Sequence, residues 1–171
     1  MSLAKLSVLV GKNFACVHIE GRANFASAPD FKQLLDGLVA KEFRHFIIEL
    51  SGCALMDSTF LGVLVGFAQK QRSKGSAACV VQLNNLNERV AELLESLGTT
   101  HLFQMTKGAL PLSGEVQACP PEATKPTHEQ LTRTSLEAHE TLRAICPENF
   151  DRFKDVALFL AEDLRNLEKP S

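Results

Sequence analysis

Asp57, Ser58 and Thr59 place a carboxylate and two hydroxyls on three consecutive positions, directly ahead of the apolar run Phe60-Leu61-Gly62-Val63-Leu64. Asp, Ser and Thr are the residue types that cap helix N-termini, so the order predicts a helix from Ser58 to about Lys74. At such a start the first N–H groups lack backbone partners and the helix dipole is positive. An anion is welcome there. The Ser58 hydroxyl can cap the helix while unmodified, and once phosphorylated it would set roughly two negative charges against those N–H groups. Asp57 opposes the phosphate by like-charge repulsion, and otherwise serves as a cap or a first-turn anion or orients the serine hydroxyl. An ordinary cap, contributing about 1 kcal/mol, explains the same residues, and spacing alone leaves both readings open. Thr59 is a second hydroxyl at the junction and a second choice for modification.

Other chemistries find little footing. His18, His45, His101, His128 and His139 show neither HxH nor HExxH spacing, which argues against a metal. There is no GxSxG elbow around Ser58, no Walker loop and no GxGxxG, so hydrolytic and nucleotide chemistry lack support and a cofactor is not expected. A non-enzymatic role follows. With 18 basic and 20 acidic residues the net charge is −2, which speaks against nucleic acid as a main ligand, and the lack of Trp and Tyr argues against base stacking. The five cysteines are odd in number and have no CxxC pair, so buried free thiols are expected.

The elements that must hold the Asp57-Ser58-Thr59 junction alternate along the chain. Leu6–Val10 and Phe14–Ile19 form a hairpin across Gly11-Lys12-Asn13. A helix follows over Ala28 to Lys41, capped by Ser27, with Phe31, Leu34, Leu35 and Leu38 on one face. Phe46 to Leu50 is a buried central strand leading into the junction, and the helix after it carries Gly62 and Gly66 four apart, a spacing that admits close approach. Ala77 to Leu83 reads as a strand, Asn87 to Gly98 as a helix with an asparagine cap and a glycine stop, and His101-Leu102-Phe103 as a last short strand. The expected fold is α/β, a mixed sheet with helices packed on it.

Leu50-Ser51-Gly52 followed by Met56-Asp57-Ser58-Thr59-Phe60-Leu61-Gly62-Val63-Leu64 resembles the signature of the sulfate transporter and anti-sigma factor antagonist (STAS) domain family, most closely its anti-sigma factor antagonist branch. The resemblance covers roughly residues 5 to 112. It implies a regulatory binding protein whose phosphorylation site is Ser58, with Asp57, Ser58, Thr59, Phe60 and Leu61 as partner-contact surface. The implied partner is an anti-sigma factor or related serine kinase that binds the unphosphorylated form, with a phosphatase to reset the switch. Phe60 departs from the family, which usually has glycine there; its side chain either blocks a partner or offers new contact surface. A constitutive STAS scaffold or transport-accessory domain is the alternative.

Beyond residue 112 the composition changes. Residues 1–112 carry a net charge of +2 and residues 113–171 one of −4. Residues 113–126, rich in Pro, Gly, Ser and Glu, read as a linker. Thr127 and Gln130 form a capping box for a helix to about Ile145, Cys146-Pro147 breaks it, and a second helix carries a seam of Phe150, Phe153, Ala157, Leu160, Leu164 and Leu167. Residues 127–171 thus form a helical hairpin too small to bury its seam unaided. It is expected to pack on the first domain, or else on a copy of itself as a homodimer, or on another protein. No apolar run approaches the length of a membrane span and no secretory signal opens the chain, so a cytoplasmic protein is expected.

Overall fold

A computed structural model describes residues 3–73, 80–109, 117–118 and 125–169. Its strands are β1 (Lys5–Val10), β2 (Phe14–Ala23), β3 (His45–Glu49), β4 (Cys53–Met56), β5 (Val80–Asn84), β6 (Gln104–Thr106) and β7 (Gln117–Ala118). The helices are α1 (Ala28–Ala40), α2 (Ser58–Ser73), α3 (Glu88–Ser96), α4 (His128–Ile145), α5 (Pro147–Arg152) and α6 (Lys154–Glu168).

The sheet runs β6-β5-β3-β2-β1-β7. β2, β3, β5 and β6 are mutually parallel neighbours, while β1 pairs antiparallel with β2 and with β7. Each parallel step needs a crossover, and α1, α2 and α3 supply the three. Strand alternation decides which side chains meet them. Val8, Val17, Ile19, Phe46, Ile48, Val81 and Leu83 point to the helices and join Phe31, Leu35, Leu64 and Leu94 in one core. Phe46 meets Phe67 of α2 edge-on, with centroids 4.9 Å apart.

The opposite side of β3 and β5 carries polar groups. Glu49, only 6% exposed, accepts from the Ser51 N–H and from Asn84 and Asn85, while Thr106 donates to Asn84. Burial pushes the Glu49 carboxyl up, but the bonds from Asn84, Ser51 and Asn85 together outweigh it and the net direction is down. Cys16, on the same strand side and fully buried, has its thiol pushed up to about 12, first by burial and then by the Glu49 charge. Cys53 is also a buried free thiol and Cys146 is half-buried; Cys79 and Cys119 lie outside the described residues.

Several expectations shift. Ser27 does not cap α1; its Oγ accepts from the Ala4 N–H instead, tying β1 to the helix start. The strand expected at His101-Leu102-Phe103 begins instead at Gln104, as β6, and Thr100–Leu102 form a 3-10 turn. A short strand, β4, sits between the central strand and α2, paired in parallel with the end of β2 after a register shift at Gly21/Arg22. The strand expected over Ala77 to Leu83 is seen from Val80, residues 74–79 lying outside the described residues, as do 110–116 and 119–124; within the expected linker over 113–126, Gln117–Ala118 instead add a strand beside β1.

The C-terminal helices pack on the sheet domain. The capping box at Thr127 and Gln130 forms as the sequence predicts. The expected second helix is two, α5 and α6, parted at Phe153, where φ −107° and ψ 13° interrupt the helix. Asn149, fully buried, donates to the Leu97 and Leu142 carbonyls and so pins α5 between the end of α3 and α4. Of the expected seam only Ala157 is fully buried, and Phe150 is 55% exposed, its ring held under the Arg143 guanidinium at 4.2 Å. No described helix is long and apolar enough to cross a membrane.

Candidate functional site

Asp57 holds the start of α2. Its Oδ1 accepts from the Phe60 N–H at 2.9 Å, three residues on, which is the capping bond, and its Oδ2 accepts from the Phe25 N–H at 2.7 Å in the loop ahead of α1. Of the two cap candidates, Asp57 supplies the cap, and Ser58 is the first helical residue. Burial raises the Asp57 carboxyl above its ordinary value, against the pull of the Phe60 and Phe25 N–H groups and the nearby His139.

Freed from capping, the half-buried Ser58 hydroxyl points away from the sheet domain and meets α4. Ser58 Oγ lies 2.9 Å from His139 Nε2. His139 Nδ1 lies 2.7 Å from the Ser135 carbonyl, which can only accept, so in the neutral ring Nδ1 carries the proton and Ser58 donates to Nε2. The ring is 4% exposed and rests edge-on against Phe153, with centroids 5.0 Å apart. Thr59 Oγ1 lies 3.0 Å from Ser135 Oγ, and Thr59 is buried. A hydroxyl, an imidazole and an orienting acceptor in line can activate a nucleophile. A cleft nearby, about 250 Å³ along Lys32, Gly62, Gly66 and Thr141, is lined by neither Ser58 nor His139.

One turn further, α2 and α4 touch through small residues. A Cβ on Gly62 would stand 2.6 Å from both the Cβ and the carbonyl oxygen of Ala138, a separation that only glycine permits. Gly66 is looser: its Cβ would meet the Thr141 side chain at 3.7 Å. Lys32 of α1 pairs with Glu137 at 2.6 Å, but at 38% and 51% exposed this pair adds little stability.

Phe60 and Leu61, expected on a contact surface, are fully buried. Phe60 stacks on Phe31 with centroids 4.3 Å apart and planes inclined by 12°, filling the space between α2 and α1. The capping bond fixes the helix phase, and that phase turns positions 60 and 61 to the core. Both are packing residues here, neither of them on the surface.

The STAS domain family model matches residues 5–113, which takes in the sheet, α1 to α3 and the Asp57-Ser58-Thr59 junction. The chain belongs to the STAS domain family. Among solved structures it is similar to a Thermotoga maritima protein assigned as an anti-sigma factor antagonist, at 20% identity and TM-score 0.54, covering 59% of this chain and 85% of that one. An anti-sigma factor antagonist from Mycobacterium paratuberculosis aligns at 16% identity and TM-score 0.52, covering 60% and 85%. The Bacillus cell-fate determinant SpoIIAA in its phosphorylated form aligns at 12% identity and TM-score 0.50, covering 62% and 91%. At such identities the likeness establishes the fold. No curated protein matches the chain in sequence.

Helices α4 to α6 follow the STAS match, so the group on Ser58 comes from outside the family domain. His139, Ser135 and Ala138 were not singled out by motif, because none belongs to a metal or nucleophile pattern. A signal for them does exist. Ser135, Ala138, His139 and Leu142 stand at i, i+3, i+4 and i+7, an inward stripe, half-buried at Ser135 and buried at the other three, on an otherwise polar helix.

Proposed function

We propose that this STAS protein is a phosphorylation-switched regulatory binding protein that acts in the cytosol. In its unphosphorylated form it binds a serine-kinase anti-sigma factor or a related kinase, phosphate on Ser58 releases that partner, and a phosphatase restores binding. Residues 1–112 carry the switch, 113–126 connect through the short edge strand at Gln117–Ala118, and 127–171 form the helical appendage.

The observation that carries this reading is the division of labour at the start of α2. Asp57 supplies the cap, so the Ser58 hydroxyl has no bonding role within the family domain and can be modified without unravelling the helix. A phosphate there lies at the positive end of the helix dipole, while Asp57 beside it raises the local negative charge. A change of a few kcal/mol at such a patch suffices to exchange partners. The contact surface is Asp57, Ser58 and Thr59 with the outward side of α2; Thr59 is the second choice for modification. The test is to treat the full-length protein with ATP and the serine kinases of its own cell extract and to map phosphate by mass spectrometry. Phosphate on the 57–59 segment supports the reading; phosphate elsewhere with that segment unmodified contradicts it.

A constitutive scaffold is favoured by one feature. α6 leaves Leu158 and Phe159 60% and 71% exposed, with Val156 beside them, an apolar stripe suited to assembly with a second copy. Ser58→Asp and Ser58→Ala separate the readings, because a scaffold shows equal partner binding and equal mass in solution for both.

A further inference from the structure

α4 occupies the outward side of α2, the side the proposed switch would use. It does so with a definite chemistry: Ala138 over Gly62, where no larger pair fits, His139 and Ser135 on the Ser58 and Thr59 hydroxyls, and Leu142 closing onto the core. We infer that the α1–α2 face is a seat for one amphipathic helix, that α4 is its resident occupant, and that an external partner takes the seat with a helix of the same pattern once α4 has left. The partner half of this statement rests on the reading of the chain as a binding regulator; the resident half does not.

Four observations support a detachable occupant. The seat lies wholly inside the family match at residues 5–113, and α4 lies wholly outside it. The large apolar side chains of α2, Phe60, Leu61 and Leu64, face the core, so α4 leaving would rehydrate hydroxyls, an imidazole and small side chains, with Leu142 the one fully buried large apolar group it takes from the core. The Lys32–Glu137 pair at the rim is solvated on both sides and separates at little cost. The seat is also incompletely filled, since the cleft of about 250 Å³ runs between Gly62, Gly66, Lys32 and Thr141. A partner helix with longer side chains at those positions would fill more of it.

Because Gln117–Ala118 pair with β1, only residues 119–126 join the sheet to α4, and a tether that short holds α4 at an effective concentration on the order of millimolar. An external helix therefore competes against a tethered rival. Its apparent affinity falls by the fraction of time the seat stands open, so weakening α4 from its own side should strengthen outside binding.

Ala138→Leu does this without altering the seat. The probe is a fluorescein-labelled peptide of residues 127–146 added in trans to the full chain and followed by anisotropy. The Ala138→Leu chain is expected to bind it at least tenfold more tightly than the wild type, and Gly62→Leu added to that variant should abolish the gain by filling the crossing point. Hydrogen exchange on β3 and β5 serves as the folding control. Equal, weak binding by wild type and by an Ala138→Leu chain whose sheet amides stay protected overturns the inference. Should that variant lose sheet protection, Leu142→Ala, which weakens α4 by truncation, takes its place under the same criterion. No kinase or phosphate enters the experiment, so its failure is distinct from a failure to find phosphate at Ser58.

Discussion

Ser58 Oγ and His139 Nε2, 81 residues apart in sequence, stand 2.9 Å apart across the α2–α4 contact. The hydrogen bond leaves no room for a phosphoryl group between them. A modified Ser58 would also set its charge against Asp57 and beneath a helix face that is buried, where an unpaired anion is costly. Docked α4 and a phosphate on Ser58 thus exclude each other, and the same reasoning bars an external helix that uses the seat as α4 does.

The two glycines of α2 should respond to alanine with opposite signs. Each exchange favours the helix intrinsically by about 1 kcal/mol. At Gly66 the new methyl meets only Thr141 at ordinary contact distance, so Gly66→Ala should raise stability by up to about 1 kcal/mol in urea unfolding. At Gly62 it would lie 2.6 Å from the Ala138 backbone oxygen, so α4 must move away. Gly62→Ala should speed amide exchange in residues 128–145 while β3 stays protected; unchanged exchange there would refute the close crossing.

Phe60 tests whether the departure from the family residue is structural. Phe60→Gly restores the usual family residue but removes the stack on Phe31 and leaves a cavity in the core. A loss of about 3–5 kcal/mol is expected, as for large aromatic truncations, with helix propensity adding to it. A near-neutral result would mean that α1 and α2 close the gap.

Glu49 gives the acid limb of stability a definite sign. Its carboxyl titrates below the ordinary 4.5 in the folded chain, so its contribution is fully present above that value and is lost as pH falls through the lower folded value. Asp57, raised by burial, acts in the opposite sense: its contribution is present below the ordinary 3.8 and fades as pH rises through the folded value. Glu49→Gln should be less stable than wild type at neutral pH, with the gap narrowing as the pH falls below 4.5. Denaturant unfolding at a series of pH values reads this directly, and a gap constant with pH would contradict it.

Much of the fold was legible because its signals are local. The hairpin, the apolar stripe of α1, the Asn87 cap, Gly98 at φ +68° and the Thr127 capping box are all fixed by neighbours within a few residues. β4 escaped because its pairing is only to the irregular end of β2, a long-range partner with no periodic trace. The α2 cap was open between Asp57 and Ser58, and what decides for Asp57, whose carboxylate also accepts from the Phe25 N–H, is a contact the linear sequence does not display. His139 was invisible to motif reasoning for the same cause: its role exists only once α4 has crossed α2 at the Gly62–Ala138 contact. Phe60 shows the converse, a residue noticed for its unusual type whose work is packing.

The most direct measurement is hydrogen exchange on the full-length chain carrying genetically encoded phosphoserine at position 58, compared with the unmodified protein. Protection of residues 128–145 should fall at least tenfold on phosphorylation while the β3 and β5 amides keep theirs. If α4 remains equally protected in the phosphorylated chain, Ser58 does not govern what occupies the α2 face, and the switch proposed here is wrong.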